Sequence, residues 1–213
     1  GVAGQGIGRC QAVGKGVREQ AVGREDSDRQ SGSDQGVVEP ELKVDGPRLR
    51  AAARAVRAGG IIAYPTEAVY GLGCDPRDER AVLRLLALKR RPARKGLILV
   101  AADFAQIEPF LEPLSPADQS RLAATWPGPY TWLIPARPAT PRWLRGRHDT
   151  LAVRVTAHPL AAALCRICGH PLVSTSANLS GRPPARTALA VRRQLGRHLD
   201  HILPGPTGGA AKP

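Results

Sequence analysis

From Leu49 onward, short apolar runs bounded by Gly and Pro alternate with stretches whose apolar residues recur at three- and four-residue spacing. A chain of this pattern must bury one face of each helix against a sheet. Ala-rich residues 48–57 read as a helix stopped by Gly59-Gly60, and Ile61-Ile62-Ala63-Tyr64 as a buried strand ending at Pro65. A turn is expected through Gly71-Leu72-Gly73. Residues 78–90 then read as a helix with Val82, Leu85, Leu86 and Leu88 inward, closed by Pro92, and residues 97–101 as the next strand. Ser115-Pro116 signals a helix over 115–124, because Pro is tolerated at a first helical position, and Pro127-Gly128-Pro129 breaks it. Strands over 130–136, 151–155 and 172–174 and helices over 157–168 and 187–195 complete the pattern before His201-Ile202-Leu203. The predicted class is α/β, with a mostly parallel or mixed sheet and helices packed on it.

A length of 213 residues suits one sizeable core. Residues 1–46 hold Gly, Ser, Gln and mixed charge, with no aromatic residue and no sustained periodicity, so they are expected to be a disordered or non-native extension ahead of a domain spanning 47–213. No run of about 18 apolar residues occurs and the first residues contain no apolar signal region, which leads to the expectation of a cytoplasmic protein with no membrane partner. The net charge is +13, yet residues 1–50 carry 8 basic and 8 acidic side chains, leaving 23 against 10 in residues 51–213. The part expected to fold therefore carries the whole excess, a field that attracts nucleotides, pyrophosphate or RNA.

Two segments place polar residues where a strand ends, the position of ligands in α/β folds, and another places a cluster of cations at a helix end just before a strand. In Tyr64-Pro65-Thr66-Glu67, Thr66 and Glu67 follow a buried strand. Residues 89–95 carry five cations, Lys89, Arg90, Arg91, Arg94 and Lys95. A helix C-terminus favours some positive charge, but clustered cations repel one another unless an anion is near, and a triphosphate would meet that need. Residues 172–181, Leu-Val-Ser-Thr-Ser-Ala-Asn-Leu-Ser-Gly, run from a strand into hydroxyl and amide side chains that either cap a turn or cradle phosphate oxygens and a hydrated Mg²⁺. No Walker, Rossmann or kinase pattern is present. Cys165 and Cys168 lack a second ligand pair at similar spacing and read as small buried residues on one helix face. The five histidines show no metal-ligand spacing.

Together with Trp126-Pro127-Gly128-Pro129 and Leu151-Ala152-Val153-Arg154-Val155, these segments resemble the YrdC-type threonylcarbamoyl-AMP synthase family in its short bacterial form. The resemblance covers about residues 49–213. It implies a twisted, mixed parallel and antiparallel sheet with flanking helices and a concave basic cavity. It also implies a reaction in which L-threonine and bicarbonate form a carbamate that attacks the α-phosphate of ATP, giving threonylcarbamoyl-AMP and diphosphate. The product serves tRNA threonylcarbamoyladenosine formation, with tRNA-threonylcarbamoyl transferase proteins as partners.

By resemblance, Lys89, Arg91, Ser176 and Asn178 are the catalytic, phosphate-binding set, with Mg²⁺ on the phosphates and no protein metal site. Lys95 and Thr150 fall at nucleotide-binding positions; Thr66, Arg154 and Ser174 fall at threonine-binding ones. Two positions depart from some relatives: Ala68 replaces a Thr, and Val100 replaces a His. The family's pattern normally continues past Pro213 with a further strand, so a domain lacking its last strand is expected. A non-catalytic RNA-binding module is the alternative, and the 4% aromatic content argues against it because few rings are available for base stacking.

Overall fold

The computed structural model describes residues 8–9 and 46–209. Strands β1 (Gly8–Arg9), β2 (Ile62–Pro65), β3 (Tyr70–Gly73), β4 (Ile98–Ala101), β5 (Trp132–Pro135), β6 (Thr150–Val155), β7 (Leu172–Ser176) and β8 (His201–Ile202) form one sheet. Their order is β1-β5-β6-β4-β7-β3-β2-β8, with β4/β6 and β2/β8 parallel and the other pairs antiparallel. The helices are α1 (Pro47–Arg57), α2 (Glu79–Leu88), α3 (Pro116–Ala123), α4 (Arg142–Arg145), α5 (Pro159–Cys168) and α6 (Ala188–Leu195). This is the expected α/β class with a mixed sheet. The expectation for residues 1–46 falls outside the described residues, apart from Gly46 and the two residues of β1.

Helices cover both faces of the sheet. On one, Leu49, Ala53 and Val56 of α1 and Leu160 and Leu164 of α5 close over Ile62 and Leu172. On the other, Val82 and Leu85 of α2 and Val191 and Leu195 of α6 pack with Leu72, Leu99, Val153 and Val173. Cys165 and Cys168 lie free and buried within the first layer, where apolar packing holds both thiols well above their usual pKa, to about 11 for Cys168. Asp78, Ser115 and Thr187 each accept a backbone N–H from the first turn of their helix, so the helix starts follow local capping chemistry.

Three expectations need correction. The turn expected at Gly71-Leu72-Gly73 is the buried strand β3. Its glycines leave room for neighbours: a Cβ on Gly73 would sit 2.7 Å from the Val173 carbonyl oxygen and 2.8 Å from the Tyr64 ring. Helix α2 stops at Leu88, two residues early, because Arg90 takes a left-handed φ of 47°. Arg90 N–H then donates to Ala87 O and Arg91 N–H to Leu86 O, closing the helix before Pro92. Finally, β7 continues through Ser176, so the first half of the hydroxyl-rich segment is strand. Pairing of β7 with both β3 and β4 provides the reason.

Candidate active site

The reversal after α2 aims Lys89 across to the end of β7. Its ammonium donates to Ser176 O (2.7 Å), Asn178 O (2.6 Å) and Asn178 Oδ1 (2.6 Å). The Ser176 hydroxyl donates to the same Oδ1 at 2.8 Å, and Asn178 Nδ2 donates to Arg182 O at 2.6 Å. Burial, and then the neighbouring Arg91 charge, lower the Lys89 pKa to about 8. The Arg91 guanidinium turns onto the Gly96 carbonyl (2.9 and 3.1 Å) beside the single 3-10 turn Ala93–Lys95. The structure thus brings together the cationic pair and the Ser176/Asn178 segment.

A cavity of about 240 Å³ opens beside this pair, lined by Arg91, Lys95, Thr150, Arg145 and His148 with Ile98 and Leu144 as apolar wall. Arg91, Lys95 and Thr150, three of the proposed nucleotide-binding residues, therefore share one space. Its rim is rigid. Gly96 and Gly146 both have positive φ, and a Cβ on Gly146 would lie 2.5 Å from Arg94 O. Arg90 and Arg94 are exposed.

A smaller cavity, about 80 Å³, lies across Ile98 and Ser176 and is lined by Thr66, Glu67, Val100, Arg154 and Ser174. All three proposed threonine-binding residues meet here. Arg154 Nε and Nη2 donate to Thr131 Oγ1 at 3.0 and 2.8 Å, and Nη1 lies 3.6 Å from Glu67 Oε2. The other Glu67 oxygen accepts from Thr156 Oγ1 (2.5 Å) and Ala157 N (3.2 Å). Thr66 Oγ1 donates to Val69 O at 2.6 Å, tightening the loop between β2 and β3. Val100 is a pocket wall, whereas Ala68 is buried.

The candidate site residues line two adjoining cavities that share Ile98 as a wall. Lys89 and Asn178 line neither; they bond at the end of β7. Sequence reasoning missed Thr131 and Thr156, the partners of Arg154 and Glu67. Thr131 lies two residues past the Pro127-Gly128-Pro129 break, and its neighbourhood to Arg154 arises only from β5/β6 pairing. A larger cavity, about 530 Å³, lies elsewhere, lined by Phe104, Trp126, Leu122, Asp103 and Glu108. It shares no residue with the cationic pair, and we place the chemistry where the charges converge.

A mixed α/β sheet carries the cation pair Lys89 and Arg91 beside a pocket lined by Arg154, an arrangement suited to enzymes that handle anionic substrates. The family model for Sua5/YciO/YrdC proteins, described as telomere recombination, matches residues 54–213, and the chain belongs to this family. A threonylcarbamoyl-AMP synthase of Nitrosococcus oceani is 64% identical over 166 residues, covering 78% of this chain and 90% of that protein. One from Methylococcus capsulatus is 60% identical over 170 residues, covering 80% and 91%. Among solved structures, P. abyssi Sua5 complexed with L-threonine superposes with a TM-score of 0.70 at 36% identity, covering 75% of this chain and 47% of that one. E. coli YciO gives 0.65 at 28% identity, covering 75% and 81%. The chain thus spans about half of the Sua5 structure and nine tenths of the first relative.

Proposed function

We propose that this chain is a threonylcarbamoyl-AMP synthase. The observation that carries the reading is the adjacency of two unlike sites across Ile98 and Ser176: Lys89 and Arg91 on one side, and the Thr66, Arg154, Ser174 pocket on the other. The names of the relatives at 60 and 64% identity support it. The amine of L-threonine condenses with bicarbonate, releasing water. A carbamate oxygen then attacks the α-phosphorus of ATP, and the bond to diphosphate breaks. Both reactants are anionic, so catalysis consists of neutralising charge and aligning the pair, with no covalent protein intermediate required.

Arg154 receives the threonine carboxylate, oriented by Thr131 and Glu67, while Thr66 and Ser174 face the rest of the amino acid. Lys89 and Arg91 exchange their carbonyl acceptors for phosphate oxygens, with Ser176 and Asn178 completing the cradle; Lys95 and Thr150 hold the nucleotide. Among the described residues no three His, Cys, Asp or Glu side chains converge as a metal cage. A Mg²⁺ ion bound with ATP would be held on the phosphates beside the Ser176 and Asn178 oxygens and would supply further charge neutralisation. No helix of the described residues is long and apolar enough to cross a membrane, consistent with work in the cytoplasm, where the product passes to the proteins that modify tRNA.

The direct test is diphosphate release, which should require ATP, L-threonine and bicarbonate together. Release without threonine would sink the assignment. Lys89→Ala, which removes the central donor, should lower the rate by about 10² or more.

A further inference from the structure

The Tyr64 ring is fully buried, and its hydroxyl oxygen has no hydrogen-bond partner among the described residues. An orphaned buried hydroxyl opposes folding, whereas Phe would fill the same space without it. The orphan is also held in place. Tyr64 pairs with Gly71 across β2/β3, and the missing side chains of Gly71 and Gly73 form the slot for its ring: a Cβ on Gly71 would lie 3.4 Å from Tyr64 Cζ, and one on Gly73 would lie 2.8 Å from Cε1.

That slot ends under the smaller cavity. The same Cβ on Gly71 would stand 3.3 Å from both Ser174 Oγ and Thr66 Cγ2, so the ring tip, Ser174 and Thr66 surround one point at the cavity floor. Burial raises the Tyr64 pKa most; Cys165 and Glu67 raise it further, whereas Ser174 and Arg154 pull it down, and Ser174, Glu67 and Arg154 all line that cavity. The Ser174 hydroxyl is thus near enough to act on the phenol, yet the pair misses the geometry of a formed hydrogen bond.

We infer that Tyr64 is a positioning residue for the amino-acid pocket: its hydroxyl engages Ser174 when the pocket is filled and fixes the direction in which the Ser174 hydroxyl faces the substrate. A small hydroxyl can rotate among several acceptors, and a rigid phenol below it removes that freedom. The stability surrendered by an unpaired hydroxyl in the free protein is recovered when the ligand orders Ser174. This rests on reading the smaller cavity as the threonine site.

The test is Tyr64→Phe, with Ser174→Ala and the double variant, each followed by melting temperature, steady-state kinetics and calorimetric L-threonine binding. The expected result is an unchanged or higher Tm for Tyr64→Phe, a rise of about five- to tenfold in KM and Kd for threonine, and an ATP KM within about twofold of wild type. The double variant should lose no more than Ser174→Ala alone, since Tyr64 acts through that hydroxyl. A threonine KM within twofold of wild type, additive losses in the double variant, or a lowered Tm with both KM values rising together would each overturn the inference. Wild-type protein that binds no threonine would overturn both this inference and the functional reading. Wild type that binds threonine while Tyr64→Phe binds it equally well would overturn the inference alone.

Discussion

Lys89 has three donors and three acceptors, so the ammonium is fully coordinated before any substrate arrives. Phosphate must displace neutral oxygens, a favourable exchange only while the group is charged. Its pKa is lowered to about 8 by burial and Arg91, so the cation is lost as pH rises through that value in the free protein. ATP itself changes little in charge there. ATP affinity measured directly should therefore fall between about pH 7 and pH 9, and Lys89→Arg, which stays protonated, should flatten the profile. An equal decline in both proteins would show that Lys89 is not the titrating group. The same lowered pKa means that the folded protein binds this proton less firmly than the unfolded chain, so Lys89 opposes folding below about 8 and that opposition fades as pH rises toward 10.5. In the other pocket, Thr131 is the acceptor for two Arg154 N–H groups. Thr131→Val keeps the volume and removes the acceptor, so the threonine KM should rise about tenfold or more while the ATP KM holds. A matching rise in both would point to a misplaced β5 instead.

At the scale of elements, the reversal after α2 decides where both cations of the proposed phosphate site, Lys89 and Arg91, point. Arg90 occupies the left-handed position that usually falls to Gly. Arg90→Gly should relieve about 1 kcal/mol of backbone strain, less the added freedom of the unfolded chain, raising Tm by roughly 2 °C without changing ATP affinity. A lower Tm would mean that the Arg90 side chain contributes more than its backbone costs. Gly73→Ala tests the opposite case. A methyl facing Val173 O at 2.7 Å and the Tyr64 ring at 2.8 Å cannot be accommodated without moving β3, so a loss of about 1–3 kcal/mol is expected from denaturant melts. These two positions also show what could be read from the chain alone. Helices announced themselves through apolar spacing such as Val82, Leu85 and Leu86 and through the start signal Ser115-Pro116, and buried strands through branched runs such as Leu97 to Val100. Gly71 and Gly73 misled because glycine marks both a turn and a close approach, and only the position of the Tyr64 ring separates the two. Arg90 carried no signal at all. Thr66, Ser174, Ser176 and Asn178 were legible as polar segments at strand ends and Lys89, Arg91 and Lys95 as a cation cluster after a helix, whereas Thr150 and Arg154 came from the family resemblance alone. Thr131 escaped because its partner comes from the pairing β5/β6 that no local pattern reveals.

For the whole molecule, the formal charge of +13 and the 23 to 10 excess after residue 50 act differently on the two substrates. ATP is a polyanion approaching a cavity lined by Arg91, Lys95 and Arg145, and the field of the protein adds to that local pull. Threonine is a zwitterion with no net charge. Its pocket is also balanced, since Glu67 faces Arg154 at 3.6 Å within a half-enclosed pair whose side chains are 13 and 15% exposed. Screening shortens the range of the first interaction and scarcely touches the second. Raising KCl from about 0.05 M to about 0.5 M shrinks the Debye length from roughly 14 Å to 4 Å, so the ATP KM should climb by about an order of magnitude. The threonine KM, measured at saturating ATP, should stay within about twofold, because close pairs inside the protein are screened little. The measurement is a pair of saturation curves at each salt concentration with Tm recorded alongside. Parallel rises in both constants at constant Tm would place threonine recognition in the long-range field as well, and would mean that Glu67 does not neutralise Arg154 as the geometry requires.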